Sequence, residues 1–420
     1  MSDSARFGGD SWEYQSLGVN ISKGFGFQIG GITNFSEYKF SPEASNSKIL
    51  FYPFSPALVT GGEETLYDHF LKGGEYLFYR TPGYPLFLGS VYKFFGVHPL
   101  KVKVIQIYLL AFIAASLPLI ARHYWGKLGC LSGFIWAFLF LAFFSPDPTK
   151  IITETLITFF LFILVIMLIS WEVKASALKS FLLGLLTGLN VLTKGLNVFL
   201  PFILLCYLFL KTEKTKRLLT SFLFVSGIAL LIITWSVYAS SKTSRPITLA
   251  TQQNTLLLDS NNEDTLSTGG WSPAWRKWDS GNLKYLYNRP EIKQVSPFNK
   301  LVKFLVLHYK DLPSLLINKL KRVFRKQFSC FLIVLGLLIY YLWIFILYKF
   351  KRKQALTIPY FPAIYFINFL LITLIFYGNY RFILPFMPFF ILPVTHFCLL
   401  FLIFIFRFLN TQIRYFLLIK

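Results

Sequence analysis

Acidic residues are scarce in this chain. Of 420 residues, 19 are Asp or Glu against 42 Lys or Arg, a formal net charge of +23. Charged residues of both signs together make up 15%, where a soluble domain carries roughly a quarter. Long apolar runs rather than scattered core residues account for the shortfall, which excludes an ordinary soluble domain. Cysteine is also rare. Cys130, Cys206, Cys330 and Cys398 lie in or beside apolar runs at unrelated spacings, which excludes a disulfide framework and a metal-ligand motif and leaves packing as their expected role. A signal peptide is missing too, because neither a basic n-region nor an apolar h-region precedes Asp10.

What is present is grease with basic punctuation. The chain is 55% hydrophobic and 19% aromatic. Its Lys and Arg residues cluster in short connections between apolar runs, the pattern of cytoplasmic loops in membrane proteins, so a nucleic-acid partner is not expected. The expected fold is all-α, a polytopic helical bundle. Candidate spans fall at 104–120, 129–145, 151–170, 178–193, 196–210, 218–238, 328–348, 357–377 and 381–406, several near the lower length limit for crossing. An aromatic stretch at 82–96 is too short to span and reads as an interfacial or re-entrant helix, with Pro82 suited to its first turn.

Connections rich in cations (122–127, 174–179, 211–217, 349–353) alternate with poor ones (144–151, 194–195, 378–381). By the positive-inside rule the first group is cytoplasmic and the second lies outside. Four regions follow: 1–100, an outer segment with interfacial helices; 101–239, membrane helices; 240–327, a long outer loop; and 328–420, further membrane helices with a cytoplasmic tail. A polar segment of that length at the amino end needs something to start its translocation, so an additional spanning helix upstream of Met1 is expected. Within the outer loop, 298–326 alternates apolar residues with Lys and Arg at helical spacing, broken at Pro313. A basic amphipathic helix of this kind is expected to lie on anionic lipid.

On the outer side this topology gathers Asp10, Glu13, Arg80, Asp147, Glu154, Lys194 and Arg381. Glu154 opens a span, where an acid either complements the helix dipole or faces a cavity or partner. Lys194, ahead of Gly195, is either a snorkelling cation at a helix end or part of a site. Guanidinium and ammonium groups are the best grips for phosphate. Arg80, Lys194 and Arg381, were they to meet the two carboxylates Asp10 and Glu154, would form a pocket for a phosphorylated lipid. Spacing alone does not show that they meet.

The order of these motifs resembles the GT-C glycosyltransferases that use polyprenyl-phosphate sugars, in particular the protein O-mannosyltransferase-like and lipid A aminoarabinose transferase families. The resemblance rests on Asp10 with Tyr14 and the bend Lys23-Gly24-Phe25-Gly26-Phe27, then on Tyr79-Arg80-Thr81-Pro82-Gly83-Tyr84-Pro85. It continues through Thr153-Glu154-Thr155, Thr193-Lys194-Gly195, and Tyr380-Arg381 with Pro385 and Pro388. Two positions depart from the pattern: Ser11 stands where many relatives have a second acid, and Glu13 where the aminoarabinose enzymes have a basic residue.

The resemblance implies a GT-C-like bundle in the cytoplasmic membrane that moves a sugar, with inversion, from a polyprenyl phosphate to a hydroxyl on a glycan, lipid or protein. It implies Asp10 as general base and Glu154 as a second catalytic-site carboxylate that orients the acceptor, positions a cation or holds one of the basic residues. Arg80, Lys194 and Arg381 would lie on the leaving phosphate, and Tyr14 and Tyr84 would position the substrate. No cofactor and no metal are expected, since the cations already serve the leaving group. Two rivals remain: a lipid-linked saccharide transporter, which would need polar residues along the middle of several spans, and a non-catalytic scaffold on the same fold.

Overall fold

The computed structural model describes residues 10–24, 26–27, 78, 80–243, 246–250, 252–271, 297–325, 328–350 and 359–418. Among these the regular structure is helical, with no strand. Helices α1 (Asp10–Ser22) and α2 (Gly83–Phe95) precede α3 (Pro99–Leu139), α4 (Glu154–Val173), α5 (Ala177–Thr193), α6 (Leu200–Lys211) and α7 (Arg217–Ser241). The intervening polar segment forms α8 (Gln252–Asp259), α9 (Glu263–Thr268), α10 (Pro297–Leu307) and α11 (Leu312–Arg325). Three apolar helices follow, α12 (Phe328–Phe350), α13 (Phe361–Ile375) and α14 (Met387–Leu418).

Among the described residues, five stretches are long and apolar enough to cross a membrane: Pro99–Phe144, Glu154–Val173, Lys214–Ser241, Phe328–Ile346 and Tyr380–Thr411. Their outward side chains include exposed Phe134, Phe138, Phe222, Leu230, Phe404 and Phe406. Apolar surface on this scale is what lipid covers. The chain is therefore a helical membrane protein. Three apolar helices among the described residues are shorter, Ala177–Thr193, Gly195–Lys211 and Phe361–Ile375; the first two coincide with the shortest expected spans, 178–193 and 196–210, and the third falls inside the longer expected span 357–377.

The first of the long stretches is folded back on itself. Trp125 and Gly126 leave helical geometry, with Gly126 at φ 63°, a value that favours glycine. A Cβ on Gly133 would lie 2.5 Å from the Pro118 Cα, whereas a straight helix would hold these residues about 22 Å apart. The basic connection 122–127 is thus a tight turn between two antiparallel helical arms, in line with separate candidates at 104–120 and 129–145. The second arm ends in a π-helical turn, Phe140–Phe144.

The carboxyl-terminal helix starts later than its apolar run predicts. Two short 3-10 turns, Tyr380–Phe382 and Leu384–Phe386, come before α14. Pro385 and Pro388 explain the delay. Proline lacks an N–H and is placed most easily in a first turn, where Pro385 and Pro388 stand, although α14 also accommodates Pro393 in its interior. Arg381 therefore lies in a turn ahead of the helix instead of opening it.

A large core binds the apolar helices together through buried Trp136, Phe162, Phe224, Phe369, Phe386 and Phe390. A second cluster joins α1 and α2 to α3 and α4 through Tyr14, Tyr84, Leu88, Val102 and Leu156. Pro313 is the second residue of α11, so the break in the amphipathic segment falls at 308–311. The buried side of α11, Leu315, Lys319 and Val323, has the i, i+4, i+8 spacing of one helix face. Cys330 is buried and Cys130 half-buried, but Cys206 and Cys398 are exposed. Packing thus fails as the role of these last two, because each projects from the outside of an apolar helix.

Candidate active site

Glu154 is the first residue of α4 and is 1% exposed. The partial positive charge of a helix amino end favours a carboxylate at that position, but it is a small compensation for full burial. The rest comes from two cations distant in sequence. Lys194 Nζ lies 3.2 Å from Glu154 Oε1. Arg381 reaches the same oxygen with Nη2 at 2.8 Å and Nε at 3.0 Å. Charge-assisted contacts of this kind are the strong class of hydrogen bond.

Local structure aims each cation. Lys194 ends α5: its N–H donates to the Asn190 carbonyl at 3.1 Å while its own backbone turns extended, at φ −146° and ψ 107°. The turn swings its side chain toward Glu154 and over the Phe382 ring, 5.2 Å from the centroid. A buried chain of amides backs the turn, from Asn368 to Asn197 at 3.3 Å and from Asn197 to Asn190 at 2.6 Å. Arg381 is placed by Asn379, whose Oδ1 accepts the Arg381 N–H at 3.0 Å.

Arg80 belongs to a neighbouring cluster. It forms an ion pair with Glu13 through Nε and Nη2, and its guanidinium lies 5.2 Å from the Tyr14 ring centroid. The two clusters are stitched together by Thr81, whose hydroxyl donates to the Thr193 carbonyl at 3.1 Å, one residue before Lys194. Glu13, which departs from the pattern of the resemblance, is thus the counter-charge of Arg80.

Tyr14 and Tyr84 stand in the wall behind the charges. Their rings meet edge to face at 5.0 Å, and they are 6% and 0% exposed. The Tyr84 hydroxyl donates to Gln106 Oε1 at 2.8 Å. Burial raises its pKa well above the ordinary phenol value, with Tyr92, Glu154 and Tyr14 adding to the effect. Gln106 then donates to the carbonyls of Pro148 and Lys150, both at 2.9 Å. Sequence reasoning missed Gln106. The signal was there, a single amide inside the apolar run Val104-Ile105-Gln106-Ile107, where a polar group needs partners.

The loop that Gln106 holds forms one side of a cavity of about 150 Å³, lined among others by Ser11, Asp147, Lys150, Glu154, Tyr380 and Arg381. Asp147 accepts from the Thr149 hydroxyl at 2.6 Å and pairs with Lys150 at 3.2 Å. Partial burial raises its pKa, but the bonds from Thr149 and Lys150 outweigh this and leave it below the usual carboxylate value. Lys150 is a cavity cation that sequence spacing did not single out. Asp10 begins α1 directly before the cavity-lining Ser11, but its side chain lies outside the described residues.

Of the residues expected at the site, Glu154, Lys194 and Arg381 are in direct contact, and Arg80 is held next to them by Glu13 and Thr81. Tyr14 and Tyr84 touch each other and the scaffold rather than the cavity. Such an arrangement can hold an anionic group at the cavity, since cations already gathered on one carboxylate need little reorganisation to meet it. Compared with family models, with curated proteins and with solved structures, the chain has no match.

Proposed function

We propose that the protein is a membrane glycosyltransferase moving a sugar from a polyprenyl phosphate to an acceptor hydroxyl, at the extracytoplasmic side of the cytoplasmic membrane. The observation that carries this reading is the buried Glu154 carboxylate shared by Lys194 and Arg381 at the edge of the cavity. Cations held in advance at a water-poor site are suited to a leaving group whose negative charge grows as it departs. A fully apolar cavity or an uncompensated acid would favour neither phosphate nor sugar.

In the proposed reaction the acceptor oxygen attacks the anomeric carbon from the face opposite the phosphate. Asp10 takes the acceptor proton as general base. The new carbon–oxygen bond forms while the bond to the phosphate oxygen breaks, and the polyprenyl phosphate leaves with the electron pair. Arg381 and Lys194, with Arg80 adjoining, neutralise it. Glu154 keeps the two cations aimed when the site is empty. The lipid tail lies in a groove between apolar helices, and helices α8 to α11 cover the acceptor side, with the exposed cations of α10 and α11 toward anionic lipid.

Comparison of envelope glycans by mass spectrometry in cells with the native protein, the Asp10→Asn variant and no protein tests the proposal. Loss of one glycan modification in both the second and third is expected, whereas full modification with Asp10→Asn at normal membrane levels overturns the catalytic reading. Because Lys and Arg do the work of neutralisation, activity in isolated membranes is expected to survive chelation with EDTA. The transporter alternative draws on one observation, the buried amide chain Asn190–Asn197–Asn368 between helices. It predicts instead that Asp10→Asn leaves the modification intact and that loss of Asn197 abolishes it.

A further inference from the structure

Helix α11 is amphipathic, yet the middle of its buried face is a lysine. Lys319 is 0% exposed, and its Nζ donates to Asn261 Oδ1 at 2.8 Å and to the Leu374 carbonyl at 2.9 Å. Both acceptors are neutral. An ammonium is costly to bury without a counter-charge, so the position of these acceptors is informative. Leu374 belongs to the last turn of α13, where main-chain carbonyls have no partner within the helix and the dipole favours a cation. Asn261 serves the same helix end, since its Nδ2 donates to the Ile375 carbonyl at 2.9 Å.

The chain leaving that helix end is held as closely. The Gly378 N–H donates to the Gly269 carbonyl at 2.9 Å. A Cβ on Gly378 would lie 1.9 Å from the Lys319 carbonyl oxygen, and one on Gly269 would lie 2.2 Å from the Asn318 carbonyl carbon. Asn318 in turn donates to the Leu266 carbonyl at 2.9 Å. Next come Asn379, which caps the turn, and Arg381, which reaches Glu154.

We infer that Lys319 is a positioning residue for Arg381: its side chain fixes the end of α13, and its backbone fixes Gly378, so that the guanidinium three residues on meets Glu154. The inference gives the polar segment between the two apolar blocks a task at the site, and it rests on the reading of Glu154 and its cations as a phosphate-binding group. Burial lowers the Lys319 pKa to about 7, which fits an amine whose hydrogens are spent on two neutral acceptors.

The test is the rate at which phenylglyoxal, an arginine reagent, modifies Arg381 in the full-length protein in detergent, read by peptide mapping. In the native protein Arg381 is shielded by Glu154. Lys319→Met is expected to speed its modification about tenfold, the size of one lost charge-assisted contact, while Arg80 keeps its native rate. Asn261→Ala, a milder change to the same clamp, is expected to act in the same direction and serves if Lys319→Met does not fold. An Arg381 rate unchanged in the folded variants overturns the inference, and so does an equal rise at Arg80, which would mean general loosening. A separate titration with a short-chain polyprenyl phosphate tests the phosphate reading. If the native protein binds none, that reading fails while the labelling result stands. If it binds, Lys319→Met and Arg381→Ala are expected to weaken binding without multiplying in the double variant.

Discussion

Helix α4 carries a glutamate near each end, and the two meet opposite fates. Glu154 opens the helix, is 1% exposed and faces Lys194 and Arg381. Glu172 lies in the last turn, is exposed, and accepts hydrogen bonds from the phenols of Tyr124, at 3.4 Å, and Tyr207. The helix dipole favours an acid at the first place and disfavours it at the second. A buried acid demands full counter-charges, whereas an acid in contact with water makes do with neutral donors. The contrast shows charge concentrated and compensated at the Glu154 end, whereas the Glu172 end links neighbouring helices through neutral donors.

The sharpest way to break that contrast is to remove each charge in turn. Glu154→Gln leaves two cations facing a neutral amide, and it is expected to destabilise the protein by about 3–5 kcal/mol, measured by thermal or chemical unfolding in detergent. Glu172→Gln keeps an acceptor oxygen for one of the two phenols, which donate to different carboxylate oxygens, and at this exposed site it is expected to cost about 1 kcal/mol. Equal losses would mean that burial and counter-charge do not separate the two ends.

The neighbouring pair should fall between. Glu13 and Arg80 have side chains 13% and 12% exposed, so a double-mutant cycle with Glu13→Gln and Arg80→Met is expected to give a coupling of about 1–2 kcal/mol. A coupling near zero would place this pair with the surface ion pairs.

Lys319 sharpens the comparison from the other side, as a buried titratable amine whose partners are neutral. Its pKa falls from 10.5 to about 7 on burial. Between these values the unfolded chain holds a proton that the folded chain has released, so unfolding free energy rises with pH across the window. Lys319→Met is expected to remove that slope, seen as a flatter dependence of the unfolding midpoint between pH 7 and pH 9.

The apolar runs made the helices legible, and the basic connection at 122–127 made the hairpin turn legible. Pairings between helices were not, because hydropathy says which residues avoid water and nothing about which neighbour each one meets. The same limit applies at the site. Glu154, Lys194 and Arg381 were legible as ionisable residues at the ends of apolar runs, where charge needs a reason. Their convergence was not, because 40 residues separate Glu154 from Lys194 and 227 separate it from Arg381. Glu13 looked like a departure until its partner was seen. Gln106 and Lys319 were hidden for opposite reasons: Gln106 is a single amide within an apolar run, whereas Lys319 is one cation among several in a basic amphipathic helix, where composition does not say which one is buried.

The wider turn at Phe140–Phe144 bears on how the cavity loop is aimed. A π-helical turn holds one residue more than the helix around it needs, and such surplus residues often occur beside functional sites. Each residue of an ordinary helix advances the chain by about 100° around its axis. Deleting one phenylalanine here would restore regular winding and swing everything downstream, Asp147 and Lys150 first, out of phase with Arg381. The loop's direction would then be set by a count of residues as well as by the Gln106 amide that holds its carbonyls.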